Sequence, residues 1–194
     1  MASIKSVCVY CGSSNRVGPR FLDAASELGR VIGQAGLELI YGGGRVGLMG
    51  RVADGVLVGG GRVTGIIPRH LHEREVAHQG VSELLIVETM HERKQLMAER
   101  ADGFVVLPGG YGTLDEMFEI ITWRQLGLHD KPLVLVDLDG YWAPLVGLLD
   151  RIIESGFAQE ECRDLYHIVR DIPDILPALQ ASRPPRVPVE SKWM

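Results

Sequence analysis

Long apolar runs are missing from this sequence. None approaches the roughly 18 residues that a membrane-spanning helix needs, so no membrane segment is expected. The N-terminus has one lysine and only a short apolar stretch before Cys11, too little for a signal peptide. Cysteine is scarce as well. Cys8, Cys11 and Cys162 make no disulfide framework, and the protein is read as cytoplasmic. Cys8 and Cys11 do form a C-x-x-C, but Cys8 falls inside an apolar strand and Gly12-Ser13-Ser14 follows Cys11. A redox pair would normally open a helix, and zinc needs more thiols or histidines nearby. Core packing is therefore the reading of both thiols. Surplus positive charge is absent too: a net charge of −5 argues against general nucleic-acid binding. Lysine occurs only at Lys5, Lys94, Lys131 and Lys192.

Glycine, by contrast, is plentiful, with 24 in 194 residues, and it clusters at junctions. Short apolar runs at 4–10, 37–41, 63–67, 83–88, 103–107, 132–137 and 165–169 alternate with helical periods. Residues 20–35 space Phe21, Ala24, Ala25, Leu28, Val31 and Ile32 as one helix face; 142–154 do the same with Leu145, Leu148, Leu149, Ile152 and Ile153. Such alternation predicts an α/β fold: a doubly wound, mostly parallel Rossmann-like sheet of about seven strands with helices on both faces. Ligands then sit at the carboxyl ends of the strands, near the switch point. The glycine clusters fall there: Cys11-Gly12-Ser13-Ser14, Gly42-Gly43-Gly44 and Pro108-Gly109-Gly110. Residues 1–181 read as one domain, and 182–194 as a flexible proline-rich tail.

Gly42-Gly43-Gly44-Arg45-Val46-Gly47 matches G-x-G-x-x-G, a dinucleotide signature. It follows the second strand, though, and the next strand ends Ile66-Ile67-Pro68-Arg69, with no acid to hold a ribose hydroxyl. A phosphate or ribose contact, or plain tight packing of helix on strand, fits better. PGGYGTLDE at 108–116 is sharper. Thr113 and Glu116 have the spacing of a capping box. Bare amides at a helix start, with the dipole behind them, make an anion site that suits a phosphate monoester. A helix cap alone explains two residues but not three glycines in five positions. A second T-x-x-E, Thr89 to Glu92, opens a helix from Met90 to Ala101 and sets Arg93 and Lys94 about one turn in. Taken alone, that pair also fits a solvated helix face.

These pieces together resemble the LONELY GUY (LOG) family of cytokinin riboside 5′-monophosphate phosphoribohydrolases, whose sequences are often labelled possible lysine decarboxylases. The resemblance rests on YCGSS at 10–14, YGGGRVGLMG at 41–50, MHERK at 90–94, PGGYGTLDE at 108–116 and ITWRQLGLHDKP at 121–132. It runs from about residue 4 to 170. It implies cleavage of the N-glycosidic bond of an adenine nucleotide 5′-monophosphate, giving free base and ribose 5-phosphate. It implies Arg93 and Glu116 as the catalytic pair. It implies Glu75, Lys94, Gly110, Tyr111, Gly112, Thr113, Leu114, Asp115 and Thr122 as substrate contacts, Glu75 on the loosest local match. Ser13, Ser14, Gly43, Gly44, Met90 and Gly109 join these as substrate-binding candidates, from the loops and motifs they occupy. The resemblance also implies a homodimer with sites at the interface.

The residue types suit that chemistry. Breaking a ribosyl C–N bond builds positive charge on the sugar, which a carboxylate such as Glu116 stabilises. Arg93 stays protonated and is a poor general acid, so its role is electrostatic. No cofactor and no metal are expected; His70-Leu71-His72-Glu73 lacks a third spaced ligand. Two other readings stand beside this one. A nucleotide carrier of the same fold would need the phosphate loop but not the carboxylate. A pyridoxal-phosphate decarboxylase would have to use Lys94, beside a competing arginine and with no partner for the ring nitrogen. The base stays open among isopentenyladenine, zeatin-type and plain adenine nucleotides.

Overall fold

A computed structural model of the protein describes residues 4–74, 77–182 and 184. Its centre is a seven-stranded sheet. The strands are β1 (Ser6–Tyr10), β2 (Glu38–Tyr41), β3 (Val63–Pro68), β4 (Glu83–Val87), β5 (Gly103–Val106), β6 (Leu133–Val136) and β7 (His167–Val169), in the order β4-β3-β2-β1-β5-β6-β7. Every pairing between these strands is parallel. The helices are α1 (Pro19–Gln34), α2 (Gly47–Val58), the single turn α3 (Arg69–His72), α4 (Met90–Arg100), α5 (Tyr111–Gln125), α6 (Ala143–Glu154) and α7 (Ile175–Ala181). Among the described residues, no helix is long and apolar enough to cross a membrane.

Successive strand residues face opposite sides of the sheet, so each central strand feeds two cores. Val7 and Val9 of β1 pack with Leu28 and Ile32 of α1, Val52 and Val56 of α2 and Ile175 and Leu179 of α7. Cys8 and Tyr10 face the other way, toward Met97 of α4 and Met117 and Ile120 of α5. This two-sided burial is why the strands read as nearly unbroken apolar runs. All three cysteines are buried and free, and all three pack in these cores, Cys11 in the first and Cys8 and Cys162 in the second.

The chain steps outward from β1 to β4, then returns to place β5 on the opposite side of β1. The loops leaving β1 and β5 diverge at that point and open a crevice. They are nevertheless joined at its base, where the Gly12 N–H donates to the Pro108 carbonyl at 3.1 Å. The glycine segment after β2 is drawn in beside them, because the Leu48 N–H at the start of α2 donates to the Gly12 carbonyl at 2.9 Å.

Where α2 sits is set by an unusually close helix pair. Gly29 and Gly33 of α1 face Gly55 of α2 and Gly59, which caps its C-terminus. A Cβ on Gly55 would stand 2.6 Å from the Ser26 carbonyl oxygen, and one on Gly33 2.5 Å from that of Val56. A Cβ on Gly29 would collide with the Val52 carbonyl and the Gly55 backbone. These obstacles are backbone and have no rotamer to escape into. Gly29→Ala is therefore expected to destabilise the fold by about 1–3 kcal/mol, the usual range for overpacking. Chemical denaturation of the two proteins checks this. Equal midpoints and slopes would show that the helices separate without cost.

Candidate active site

The crevice at the switch point is a cleft of about 560 Å³. Its walls come from the segment after β1 (Cys11, Gly12, Ser13), the glycine segment after β2 (Gly42, Gly44, Val46, Met49), Ile67 and Leu71, and the starts of α4 and α5. From α4 come Met90 and Arg93; from α5 and its approach come Gly110, Tyr111, Gly112, Thr113, Asp115 and Glu116.

Arg93 and Glu116 meet in this cleft. Arg93 Nη1 donates to Glu116 Oε1 at 2.6 Å, and both side chains are about nine-tenths buried. Arg93 Nε donates in turn to the Ile66 carbonyl at 3.1 Å, so the guanidinium is held from two directions. Gly42 makes room for it: a Cβ there would run into Nη2 of the guanidinium. That contact gives the first glycine of the G-x-G-x-x-G segment a purpose unrelated to a dinucleotide. It was not legible from sequence, since 51 positions separate Gly42 from Arg93 in the chain and nothing in the pattern pairs them.

The T-x-x-E at Thr113 is not a capping box. Helix α5 starts two residues earlier, at Tyr111, with Gly110 as its N-cap and no side-chain cap hydrogen bond. Thr113 is buried inside the first turn and Glu116 is turned to Arg93. The glycines explain the earlier start. They allow the chain to enter the helix with no side chain in the way, and a Cβ on Gly109 would strike the Thr113 hydroxyl. The first-turn amides of α5 consequently have no intrahelical carbonyl to bond and lie at the cleft wall. At α4, in contrast, the reading of a helix start with a capping threonine holds. Thr89 Oγ1 accepts from the Glu92 N–H at 3.1 Å, while the Glu92 carboxylate reaches back to the N–H of Glu88 at 2.9 Å, not to that of Thr89.

The remaining candidate residues divide. Ser13, Gly44, Met90, Gly110, Tyr111, Gly112, Thr113 and Asp115 line the cleft, with Tyr111 almost fully exposed at its mouth. Lys94 is close by but committed elsewhere: its ammonium binds Asp115 at 3.2 Å and Glu119 at 3.1 Å. Burial alone would lower its pKa, and the hydrogen bonds to Glu119 and Asp115 outweigh that, leaving the group above its ordinary value. Ser14 stands behind the cleft with its backbone against Gly47. Gly43 makes the left-handed turn after β2, at φ 74°, and accepts from the His78 N–H. Gly109 is not among the lining residues and accepts from the Tyr141 hydroxyl, and Leu114 packs half-buried on the sheet core. Thr122 is exposed, under two turns along α5 beyond Glu116, and is not among the residues that line the cleft. Glu75 lies outside the described residues. Cys11, Gly12, Gly42, Val46, Met49, Ile67 and Leu71 line the cleft without having been named as site residues; the first five lie inside the YCGSS and YGGGRVGLMG stretches, whereas Ile67 and Leu71 are ordinary apolar residues with no motif around them. Among the described residues, no group of three or more His, Cys, Asp or Glu is placed to hold a metal.

Electrostatically, Glu116 is drawn two ways. Burial pushes its carboxyl upward, and the charge and hydrogen bond of Arg93 pull it down; burial wins, and the group sits above its ordinary value. A carboxyl raised in this way favours the fold most when protonated. That contribution is complete below the unfolded value and is lost as pH rises through the folded one. A carbon-13 titration of the free protein, with Glu116→Gln as the blank, is expected to place the Glu116 midpoint above 4.5. A lower midpoint would mean that Arg93 outweighs desolvation.

The chain can be set beside proteins already known. A family model described as "Possible lysine decarboxylase" matches residues 49–179. A probable cytokinin riboside 5′-monophosphate phosphoribohydrolase of Oryza sativa subsp. japonica, LOGL2, is 43% identical over 188 residues, covering 97% of this chain and 77% of its own. The cytokinin riboside 5′-monophosphate phosphoribohydrolase LOG5 of Arabidopsis thaliana is 41% identical over 191 residues, covering 97% and 84%. Among solved structures, a molybdenum cofactor carrier protein from Chlamydomonas reinhardtii superposes with a TM-score of 0.70 at 21% identity, covering 92% of this chain and 97% of that one. At that identity the likeness speaks for the fold alone. With the family model covering most of the chain and relatives above 40% identity along nearly all of it, the protein belongs to the LOG family, the group whose model bears the lysine decarboxylase description.

Proposed function

We propose that this protein hydrolyses the N-glycosidic bond of adenine riboside 5′-monophosphates, N6-substituted cytokinin nucleotides among them, to the free base and ribose 5-phosphate. The observation that carries the proposal is the buried Arg93–Glu116 pair, 2.6 Å apart and one helical turn from the bare amides that start α5. A phosphate on those amides sets the ribose beside Glu116. As the C1′–N9 bond lengthens, its electron pair leaves with the base and the ribose ring becomes cationic. The Glu116 carboxylate stabilises that ring and orients the water that adds to C1′, and the proton that water gives up balances the one the departing base takes on. Arg93 keeps the carboxylate aimed and donates to the substrate, acting by charge and not by proton transfer. The phosphate takes no part in bond breaking, but its binding energy fixes the ribose at the reacting centre.

The working unit in this proposal is a homodimer in the cytoplasm. Three buried free thiols suit a reducing compartment. For the dimer, the support is the outer face of α5. Met117, Ile120 and Ile121 are buried against the sheet, which leaves Leu114, Phe118 and Trp123 only half-buried. Beside them a groove of about 440 Å³ runs between α4 and α5, with Leu128 69% exposed at its edge. A second copy on this face would also give Thr122 a place at a substrate. Thr122 stands roughly 9 Å along α5 beyond Glu116, at 1.5 Å per residue, and outside its own cleft, so it would serve the partner's.

Two measurements test these statements. Parent and Glu116→Gln proteins are each given AMP, N6-isopentenyl-AMP and the matching ribosides. The parent is expected to release base from monophosphates and little or none from ribosides. Glu116→Gln keeps a hydrogen bond to Arg93 and should stay folded, with kcat down by at least a hundredfold, about 3 kcal/mol of transition-state stabilisation. A folded Glu116→Gln enzyme working near the parental rate ends the catalytic assignment. Equal kcat/KM for riboside and monophosphate ends the phosphate assignment. Light scattering at micromolar concentration is expected to give twice the chain mass, and a monomer there removes the dimer.

A further inference from the structure

Tyr141 lies outside the cleft and outside every motif singled out above. The chain leaving β6 turns through Asp139, at φ 54°, and Gly140, at φ 75°, and delivers Tyr141 to the loop after β5. There its hydroxyl donates to the Gly109 carbonyl at 2.6 Å. The side chain is 43% exposed, yet its ring is gripped. Phe21 of α1 meets it edge-on with centroids 5.8 Å apart, and Trp142 does so at 4.8 Å. The turn that carries it is tied down as well: Arg20 pairs with Asp139 at 2.7 Å, and the Trp142 N–H donates to Asp137 Oδ1 at 2.7 Å. A left-handed aspartate is a conformation that few non-glycine residues adopt. Here it aims one tyrosine at one carbonyl.

Peptide geometry gives that contact its consequence. A trans peptide is planar, with C=O and N–H on opposite sides, and no described peptide is cis. With the Gly109 carbonyl held toward Tyr141, the N–H of Gly110 points the other way. Gly110 is the N-cap of α5 and lines the cleft, whereas Tyr141 does not. The preceding peptide is pinned in the same manner, by the Gly12 N–H on the Pro108 carbonyl. The loop needs such pins. A Cβ on Gly110 or Gly112 would meet nothing within 4 Å, so packing does not fix these peptides and hydrogen bonds must.

We infer that Tyr141 is a positioning residue for the 5′-phosphate. Resting on the reading of this loop as the phosphate site, its hydroxyl locks the Gly109–Gly110 peptide so that the Gly110 amide faces the anion before the anion arrives. The energy that would otherwise order the loop is then free to hold the ribose at Glu116.

The test is Tyr141→Phe, which deletes one oxygen and keeps the ring against Phe21. Binding of ribose 5-phosphate is measured by calorimetry, beside turnover of AMP, N6-isopentenyl-AMP and their ribosides. Loss of one preorganising hydrogen bond is expected to raise Kd for ribose 5-phosphate and KM for the monophosphates about tenfold. Residual riboside turnover and the melting temperature should stay parental. Tyr141→Leu, which loses the ring too, should add a drop in melting temperature to the same loss of phosphate affinity. A Tyr141→Phe protein with parental Kd and KM overturns the inference. So does an equal fall in kcat for monophosphate and riboside at unchanged Kd, which is what simple loss of packing would give. A parent that binds ribose 5-phosphate more tightly than Tyr141→Phe does, yet frees no base from any monophosphate, overturns the hydrolytic proposal and leaves the role of Tyr141 standing. A parent that binds no 5′-phosphate overturns both.

Discussion

Burying a carboxylate and a guanidinium together is costly. Each loses its water, and their mutual attraction repays the loss only when the geometry is good and the remaining donors are met. The surroundings of Arg93 and Glu116 satisfy that condition at several points. Ile66 offers a carbonyl, Gly42 withdraws its side chain from the guanidinium, and α5 begins early enough to turn Glu116 inward and not back onto its own backbone. The contributions come from strand β3, from the connection after β2 and from the connection into α5. The pair therefore depends on the order of the strands, which alone brings those connections to one place.

The sheet does that work through its reversal between β1 and β5. Loops on either side of the reversal part, and the opening between them is the cleft. A cleft made only of diverging loops would be soft. Here the backbone stitches it: Gly12 to Pro108, Leu48 to Gly12, and His78 to Gly43. The close glycine-lined contact of α1 with α2 holds the second glycine segment at a fixed height above the sheet. Rigid backbone with few side chains in the way is what an anion site built from amides requires, because amides bind well only if they already point at the ligand.

Much of this was legible in the chain. The seven strands fall where the apolar runs place them, within one or two residues at their ends, because in a sheet covered on both faces nearly every residue of the inner strands is buried. The capping threonine of α4 was readable because a cap is a local matter, settled by residues three apart. The same spacing at Thr113 misled. There the glycines let the helix begin sooner, and a tertiary partner, Arg93, claimed the glutamate that a cap would have used. Lys94 shows the same limit in reverse. It stands next to Arg93 in sequence, but consecutive helix positions face about 100° apart, and it binds Asp115 and Glu119 instead of turning to the cleft.

The sequence by itself determined the layered parallel sheet, the three glycine segments at its carboxyl edge and the residue types able to act there. These are matters of periodicity and of short-range stereochemistry, and they are written locally. The tertiary structure alone decided which of these groups meet. Gly42 lies against Arg93, Arg93 against Glu116, and Tyr141 against the Gly109 carbonyl, 32 positions apart in the chain. Such contacts depend on strand order and on the height at which each helix packs, and those are properties of the whole folded chain that no single stretch of it encodes.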